Sequence, residues 1–203
     1  MKEILKRLSL GILFIVLSSA ILLLSDLNQR RVEYSKPQQM ADVPFKKWNV
    51  HVIKYLESPS SEQSESGVYL GLKESGLIEG SEYEIKARSA QGDIATLRML
   101  IDAAITERAD LIITLSTATL QTAIKRINDI PVVFTHVANP IVAGAGRSDE
   151  DHLPNITGAY NLSDYGGLIQ IVRECIPGIR RVGTLFCPSE VNSVFHRDNL
   201  VES

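Results

Sequence analysis

The composition of this chain is that of an ordinary globular domain with an added apolar segment. Its 203 residues are 44% hydrophobic and 22% charged, and the formal net charge is −3 at pH 7. A slightly acidic chain without a basic stripe argues against nucleic acid as a partner. Cys175 and Cys187 have neither the spacing nor the histidine neighbours of a metal site, so we predict no metal there, and no cofactor is expected. A disulfide between them is the alternative in an exported protein, but a single pair is weak evidence, and we predict two buried free thiols.

The added apolar segment lies near the start of the chain. Residues 8–24 carry no charge and follow Lys2, Lys6 and Arg7. This run is at the short limit for a bilayer-spanning helix and slightly longer than a usual signal-peptide core. A small-residue cleavage pattern lies inside it, but apolar residues continue beyond that pattern, which favours an uncleaved anchor. We therefore predict that residues 1–25 are a membrane anchor or signal segment, with the remaining chain on the extracytoplasmic (periplasmic) side.

The next part of the chain shows an alternation of strand and helix patterns. Polar residues 26–47 contain Pro37 and Pro44 and predict a linker. Strands are predicted at residues 48–56, 82–88, 110–115 and 131–137, and helices at residues 67–75, 94–108 and 119–127. Polar residues 57–66 predict a loop before the first of these helices. The alternation predicts an α/β fold, a doubly wound parallel sheet with helices on both faces.

After Pro140 the composition of the sequence changes. We predict a Gly-rich and acidic loop at residues 141–154, an extended piece at 155–161, a helix at 164–175, a strand at 181–186, and a loop at 187–192 before another helix. A second α/β group thus begins with one strand, which cannot close or cover a sheet. The expected division is a first α/β lobe at residues 48–154, then a hinge and the start of a truncated second lobe at residues 155–203.

Hydroxyl side chains cluster where the third predicted strand ends. Ser116, Thr117 and Thr119 follow that strand and begin a helix. Open parallel sheets bind ligands beyond the carboxyl ends of their strands. A helix N-terminus also offers free N–H groups and a dipole that favour an anion. Ser and Thr are ordinary helix caps as well, so capping alone and ligand contact both remain open here.

No motif of a known catalytic site is present. The chain lacks Gly-x-Ser-x-Gly, a phosphate-binding Gly-x4-Gly-Lys loop and His-Glu-x-x-His, so we predict that it is not an enzyme. His51 and His136 lie within apolar strands and are interpreted as hydrogen-bonded structural residues. A phosphoacceptor or flavodoxin-like domain would need a carboxylate at a strand end, where this chain has Ser116 and Asn139 instead.

Several motifs in order resemble one known family. They are GLKESGLIEG (71–80), ARSAQGD (87–93), ADLIIT (109–114), PVVFTHVANP (131–140), NITG (155–158) and PSEVNS (188–193). This order resembles the ABC-transporter substrate-binding proteins of the tryptophan/tyrosine-binding type. The resemblance implies a two-lobed, periplasmic-binding-protein-like fold that closes on an amino-acid-like ligand at the outer face of the membrane, with an ABC permease as partner. A membrane-anchored sensory domain with the same fold is the alternative.

The resemblance also implies which residues contact the ligand. They are Ser116, Thr117, Thr119, Asn139, Ser189, Asn192, Ser58 and Ser60. At Asn139 the family commonly has Asp, so a carboxylate that could pair with a ligand ammonium is replaced by an amide. The chain is also shorter than the family pattern, and its predicted anchor replaces a cleaved signal or lipid-bearing cysteine. Because one lobe cannot surround a ligand, we expect this chain to bind its ligand weakly or not at all.

Overall fold

The computed structural model describes residues 17–19 and 46–203 of the chain. Two compact units are distinguished, Met1–Phe45 and Lys46–Ser203. In the first unit, residues 17–19 are helical. The rest of the predicted anchor lies outside the described residues, as does nearly all of the predicted linker. Within the described ranges, no helix combines the length and the apolar character needed to cross a bilayer.

The second unit is a parallel α/β sheet. Its elements are β1 (Trp48–Lys54), α1 (Pro59–Glu74), β2 (Tyr83–Ser89), α2 (Ile94–Thr106), β3 (Leu111–Leu115), α3 (Thr117–Ile124), β4 (Val132–Val137), α4 (Pro140–Ala143), β5 (Ile156–Tyr160), α5 (Tyr165–Cys175) and α6 (Val191–Glu202). The strand order is β2-β1-β3-β4-β5, and every pair is parallel. The predicted parallel sheet is confirmed, and it gains a fifth strand at the predicted extended piece.

Helices cover both faces of the sheet because alternate strand residues point to opposite sides. Val52 of β1 packs in a cluster with Leu72 of α1. Ile53, the next residue, packs in the larger cluster with Leu97 of α2 and Leu120 of α3. The chain therefore winds in both directions from the centre of the sheet. In such sheets a crevice opens beyond the carboxyl ends of the two strands where the winding reverses, here β1 and β3.

The start of α1 corrects the predicted loop at residues 57–66. The Ser58 side chain accepts a hydrogen bond from the Ser61 N–H at 3.2 Å, and the Ser61 hydroxyl accepts one from the Ser58 N–H at 2.9 Å. Pro59 occupies the first turn, where its missing N–H costs nothing. This reciprocal cap begins the helix at Pro59 rather than at residue 67. The polar composition suggested a loop, but most of these polar side chains lie on the exposed side of a helix, and Ser61 is buried in its cap.

The predicted strand at residues 181–186 is the second correction. This segment belongs to no strand, and none of the five described strands pairs with it. A β-strand needs a neighbour that satisfies its N–H and C=O groups, and the described sheet ends at β5. Around this segment neither α5 nor α6 has a fully buried residue. Cys175 and Cys187 are accordingly exposed, so their predicted burial is wrong.

Candidate ligand-binding site

A polar cavity lies beyond the carboxyl ends of β3, β4 and β5. Its volume is about 170 Å³, and the N-terminal parts of α3 and α6 form part of its wall. The polar side chains that line it are Ser116, Thr117, His136, Asn161, Ser163, Asn192 and His196. The cavity therefore lies where the sequence predicts a ligand, at the carboxyl edge of a parallel sheet.

A larger cavity adjoins it along α3. Its volume is about 460 Å³, and Tyr55 at the end of β1, Ala118 of α3, and Ser189 and Glu190 before α6 line it. Asn192 lines both cavities, so the two are neighbours. We refer to the 170 Å³ and 460 Å³ cavities together as the cleft. Its walls come from the carboxyl edge of the sheet, from α2 and α3, and from the segment that leads into α6.

Two of the three predicted hydroxyls at α3 bond to the protein itself. The Ser116 Oγ atom lies 3.0 Å from Thr119 Oγ1 and accepts a 3.4 Å hydrogen bond from the Thr119 N–H. The Thr119 hydroxyl donates to the carbonyl of Leu115 at 3.0 Å, and its side chain is fully buried. Ser116 therefore caps α3, and Thr119 fastens the helix start to the end of β3.

Thr117 is the hydroxyl of this group that remains available. In residues 46–203 its side chain makes no hydrogen bond, although Thr117 is only 4% exposed and lines the smaller cavity. The N–H groups of Thr117 and Ala118 also have no backbone acceptor there, as expected in the first turn of a helix. Two N–H donors, one hydroxyl and the positive end of a helix dipole therefore meet in the cleft, which suits a carboxylate.

The other predicted ligand residues divide between the cleft and its surroundings. Ser189 and Asn192 line the cleft. Asn139 lines neither cavity and caps α4, since its Oδ1 accepts from the N–H groups of Ile141 and Val142 at 2.9 and 3.0 Å. Ser58 and Ser60 also line neither cavity and belong to the cap of α1, with their hydroxyl oxygens 3.2 Å apart. The assignment of all eight residues as ligand contacts stays a prediction.

Some cleft residues were not predicted from the sequence. Asn161 and Ser163 follow β5, and the strand-end argument applied to β3 would have found them once β5 was counted in the sheet. Tyr55 lies directly after β1 and is found by the same argument. His136 was interpreted as a hydrogen-bonded structural residue, but its ring makes no hydrogen bond within residues 46–203 and lines the smaller cavity. That interpretation is therefore wrong.

A buried lysine lies at the end of β1 and is fully paired. Lys54 is 8% exposed, and its Nζ lies 2.8 Å from Glu57 and 2.5 Å from Glu65. Burial alone would lower the pKa of Lys54, but its hydrogen bonds to the two glutamates outweigh burial and raise that pKa. Lys54 thus stays charged and fixes the start of α1 against β1, so its charge is already neutralised.

The opposite, amino-terminal side of the sheet carries an ion cluster around Glu107. Lys86 and Arg88 of β2 donate to its carboxylate at 2.8 and 2.7 Å and lower the pKa of Glu107 to about 2. His51 is fully buried, 3.7 Å from Glu107, and neither ring nitrogen has a hydrogen-bond partner. The predicted hydrogen-bonded His51 is therefore wrong. Burial lowers the pKa of His51, although the charge of Glu107 partly opposes this.

No group of three metal-ligating side chains among the described residues could hold a metal ion. The chemistry that the cleft offers is hydrogen bonding to a small polar ligand.

Comparisons with known proteins identify a family that matches most of this chain. The profile of the family described as "ABC transporter substrate binding protein" matches residues 49–203. A protein named tyrosine-binding protein from Clostridioides difficile (strain R20291) is 28% identical over 155 residues, which are 76% of this chain and 45% of that protein.

Solved structures show the same fold. A conserved domain protein from Vibrio cholerae O1 biovar El Tor superposes with a TM-score of 0.73 at 27% identity, over 78% of this chain and 53% of that one. An ABC domain from Streptococcus pneumonia, solved in complex with L-Trp, superposes with a TM-score of 0.72 at 20% identity, over 76% and 52% of the two chains. The chain thus spans about half the length of the relatives that it matches.

Proposed function

This chain belongs to the family of ABC transporter substrate-binding proteins, and we propose that it captures an amino-acid-like ligand in the cleft for import. Members of this family are binding proteins and not enzymes. The observation that carries the proposal is the free set of donors at the start of α3. The N–H groups of Thr117 and Ala118 and the Thr117 hydroxyl point to an anion-binding position in a cavity at the carboxyl edge of the sheet.

The binding mechanism follows from which groups surround that position. The ligand carboxylate accepts hydrogen bonds from the α3 donors, and charge-assisted bonds of this kind are the stronger ones. Ser189 and Asn192, on the opposite wall, then contact the remainder of the ligand. Closure of the two walls buries the ligand, as in two-lobed binding proteins that close by a hinge. In this proposal residues 48–154 form the first lobe, and residues 155–203 form the hinge and the beginning of the second.

The nature of the ligand side chain is also part of the proposal. The curated relative at 28% identity is named a tyrosine-binding protein, which supports an aromatic amino acid. Tyr55 lines the larger cavity and offers an aromatic face next to the carboxylate position. We further propose that residues 8–24 anchor the chain, that the cleft faces the extracytoplasmic side, and that an ABC permease receives the ligand.

The test is a titration of the full chain with L-tyrosine and with tyramine, which lacks only the carboxylate. L-Tyrosine is expected to bind about tenfold or more tightly than tyramine, because a hydrogen bond to a charged group contributes about 1.5–3 kcal/mol. Equal affinities would overturn the carboxylate assignment. If neither compound binds at millimolar concentration, aromatic amino acid capture by this chain is wrong.

A further inference from the structure

The end of β4 contains a β-bulge that changes the direction of one side chain. Phe134 pairs with Gly158 of β5, and the next pair is Val137 with Tyr160, so β4 has one extra residue between these pairs. His136 lies in this bulge with φ of 57°, in the left-handed region that few residues other than glycine adopt. A β-bulge re-aims a side chain relative to the regular alternation of a strand.

The bulge places His136 on the wall of the smaller cavity. The other lining residues include Ser116 and Thr117 at the end of the neighbouring strand β3. The two strands are joined next to the bulge, where the Ser116 N–H donates to the Thr135 carbonyl at 3.3 Å. The His136 ring is half-buried and has no hydrogen-bond partner among residues 46–203. A polar ring beside free N–H donors, without a protein partner, is suited to a ligand.

The charges around this cavity narrow the choice of ligand group. No Lys, Arg, Asp or Glu lines it, and its two titratable residues are His136 and His196. His196 of α6 is already engaged, since its Nδ1 lies 2.6 Å from the hydroxyl of Tyr165 in α5. Apart from the helix dipole, His136 is therefore the group here that can bring a positive charge to an anion without giving up another hydrogen bond.

From this geometry we infer that His136 binds the ligand carboxylate together with Thr117. The inference rests on the proposed function, because it assigns a further contact to the same carboxylate. The imidazole ring can donate an N–H hydrogen bond to that carboxylate.

The matched variants are His136→Asn and His152→Asn. Asparagine adopts positive φ more readily than most residues, so His136→Asn keeps the bulge but removes the imidazole ring. His152 is an exposed histidine with Nδ1 2.9 Å from the Leu153 carbonyl, and it lines neither cavity of the cleft. The unsubstituted chain and the full chain with each substitution are titrated with L-tyrosine and with tyramine.

The unsubstituted chain and His152→Asn are expected to bind L-tyrosine about tenfold more tightly than tyramine. His136→Asn should bind L-tyrosine about tenfold more weakly than the unsubstituted chain, with its affinity for tyramine unchanged. An unchanged affinity of His136→Asn for L-tyrosine, while L-tyrosine still binds better than tyramine, would overturn the role of His136 and leave the proposed function standing. Loss of the preference for L-tyrosine in the unsubstituted chain would overturn both.

A second measurement avoids any dependence on how well the variant folds. In the unsubstituted chain, the ring proton resonance of His136 should shift on addition of L-tyrosine, and that of His152 should not. A His136 resonance that stays in place while L-tyrosine binds would show that the carboxylate lies elsewhere, for example beside Arg98 and Lys125 of the larger cavity.

Discussion

Thr117 and Thr119 carry the same side chain, but of the two hydroxyls only that of Thr119 is hydrogen-bonded to the protein within residues 46–203. Substitutions at the two positions should therefore separate an effect on ligand affinity from an effect on stability. Thr117→Val removes a hydroxyl without a protein partner, so affinity for L-tyrosine should fall about tenfold with little change in the free energy of unfolding. Thr119→Val removes the hydrogen bond to Leu115 and should lower that free energy by about 1 kcal/mol, with affinity unchanged. Titration with L-tyrosine measures the affinity of both variants, and a denaturant melt measures their free energy of unfolding. If Thr117→Val lowers the free energy of unfolding and leaves the affinity unchanged, Thr117 is a structural residue.

His51 makes the stability of the domain depend on pH in a predictable direction. Because burial lowers the pKa of His51 in the folded state, the unfolded chain binds more protons below about pH 6.5. The free energy of unfolding should therefore fall as the pH drops from 7 to about 5. His51→Leu should flatten this slope. Glu107 contributes at lower pH, because its pKa is lowered to about 2. A variant that keeps the original slope between pH 7 and 5 would exclude His51 as its cause.

The elements differ in how far their sequences predict them. The strands followed from apolar and β-branched runs, because strands buried on both faces read as near-continuous apolar segments. The start of α1 was not predicted from the sequence, because its polar residues show no apolar periodicity. The reciprocal cap of Ser58 and Ser61 in the structure defines it. The bulge at His136 was likewise invisible, because it depends on how β4 pairs with β5, which no local pattern encodes.

Two glycines in different elements should respond oppositely to replacement by alanine. A Cβ atom at Gly158 of β5 would lie 2.1 Å from the Phe134 carbonyl oxygen, so the two strands would have to separate. At Gly67, within α1, a Cβ atom meets nothing within 4 Å. Gly67→Ala should raise the free energy of unfolding by about 0.5–1 kcal/mol, whereas Gly158→Ala should lower it by more than that. Similar melting midpoints for the two variants would contradict this packing of β4 against β5.

At the scale of the whole molecule, the sequence predicted the edge of the sheet where the cleft lies but not the complete cleft. The strand-end argument found Ser116 and Thr117 because it needs only the order of strands and helices. It could not show that Asn192 lies across from them, since that contact joins segments far apart in the chain and depends on how the chain turns after β5. Nor could it show which of the three hydroxyls at the start of α3 is hydrogen-bonded to the protein and which is free, because these bonds depend on atomic distances.

The predicted anchor leads to a separate prediction for the intact protein. Residues 8–24 continue as an apolar run beyond the small-residue pattern, so the protein isolated from membranes should keep its N-terminus. Intact-mass spectrometry measures this directly. A mature chain that starts near residue 21 or 25 would show that the segment is a cleaved signal.

The central claim is that ligand capture takes place at the carboxyl edge of the sheet. The most direct test is a map of backbone amide NMR shifts in the full chain on addition of L-tyrosine. The largest changes are expected at Thr117, Ala118, His136 and Asn192, which surround the cleft. Residues near Glu107, on the opposite side of the sheet, should stay in place. Changes concentrated around Glu107, or spread evenly over the domain, would contradict a binding site in the cleft.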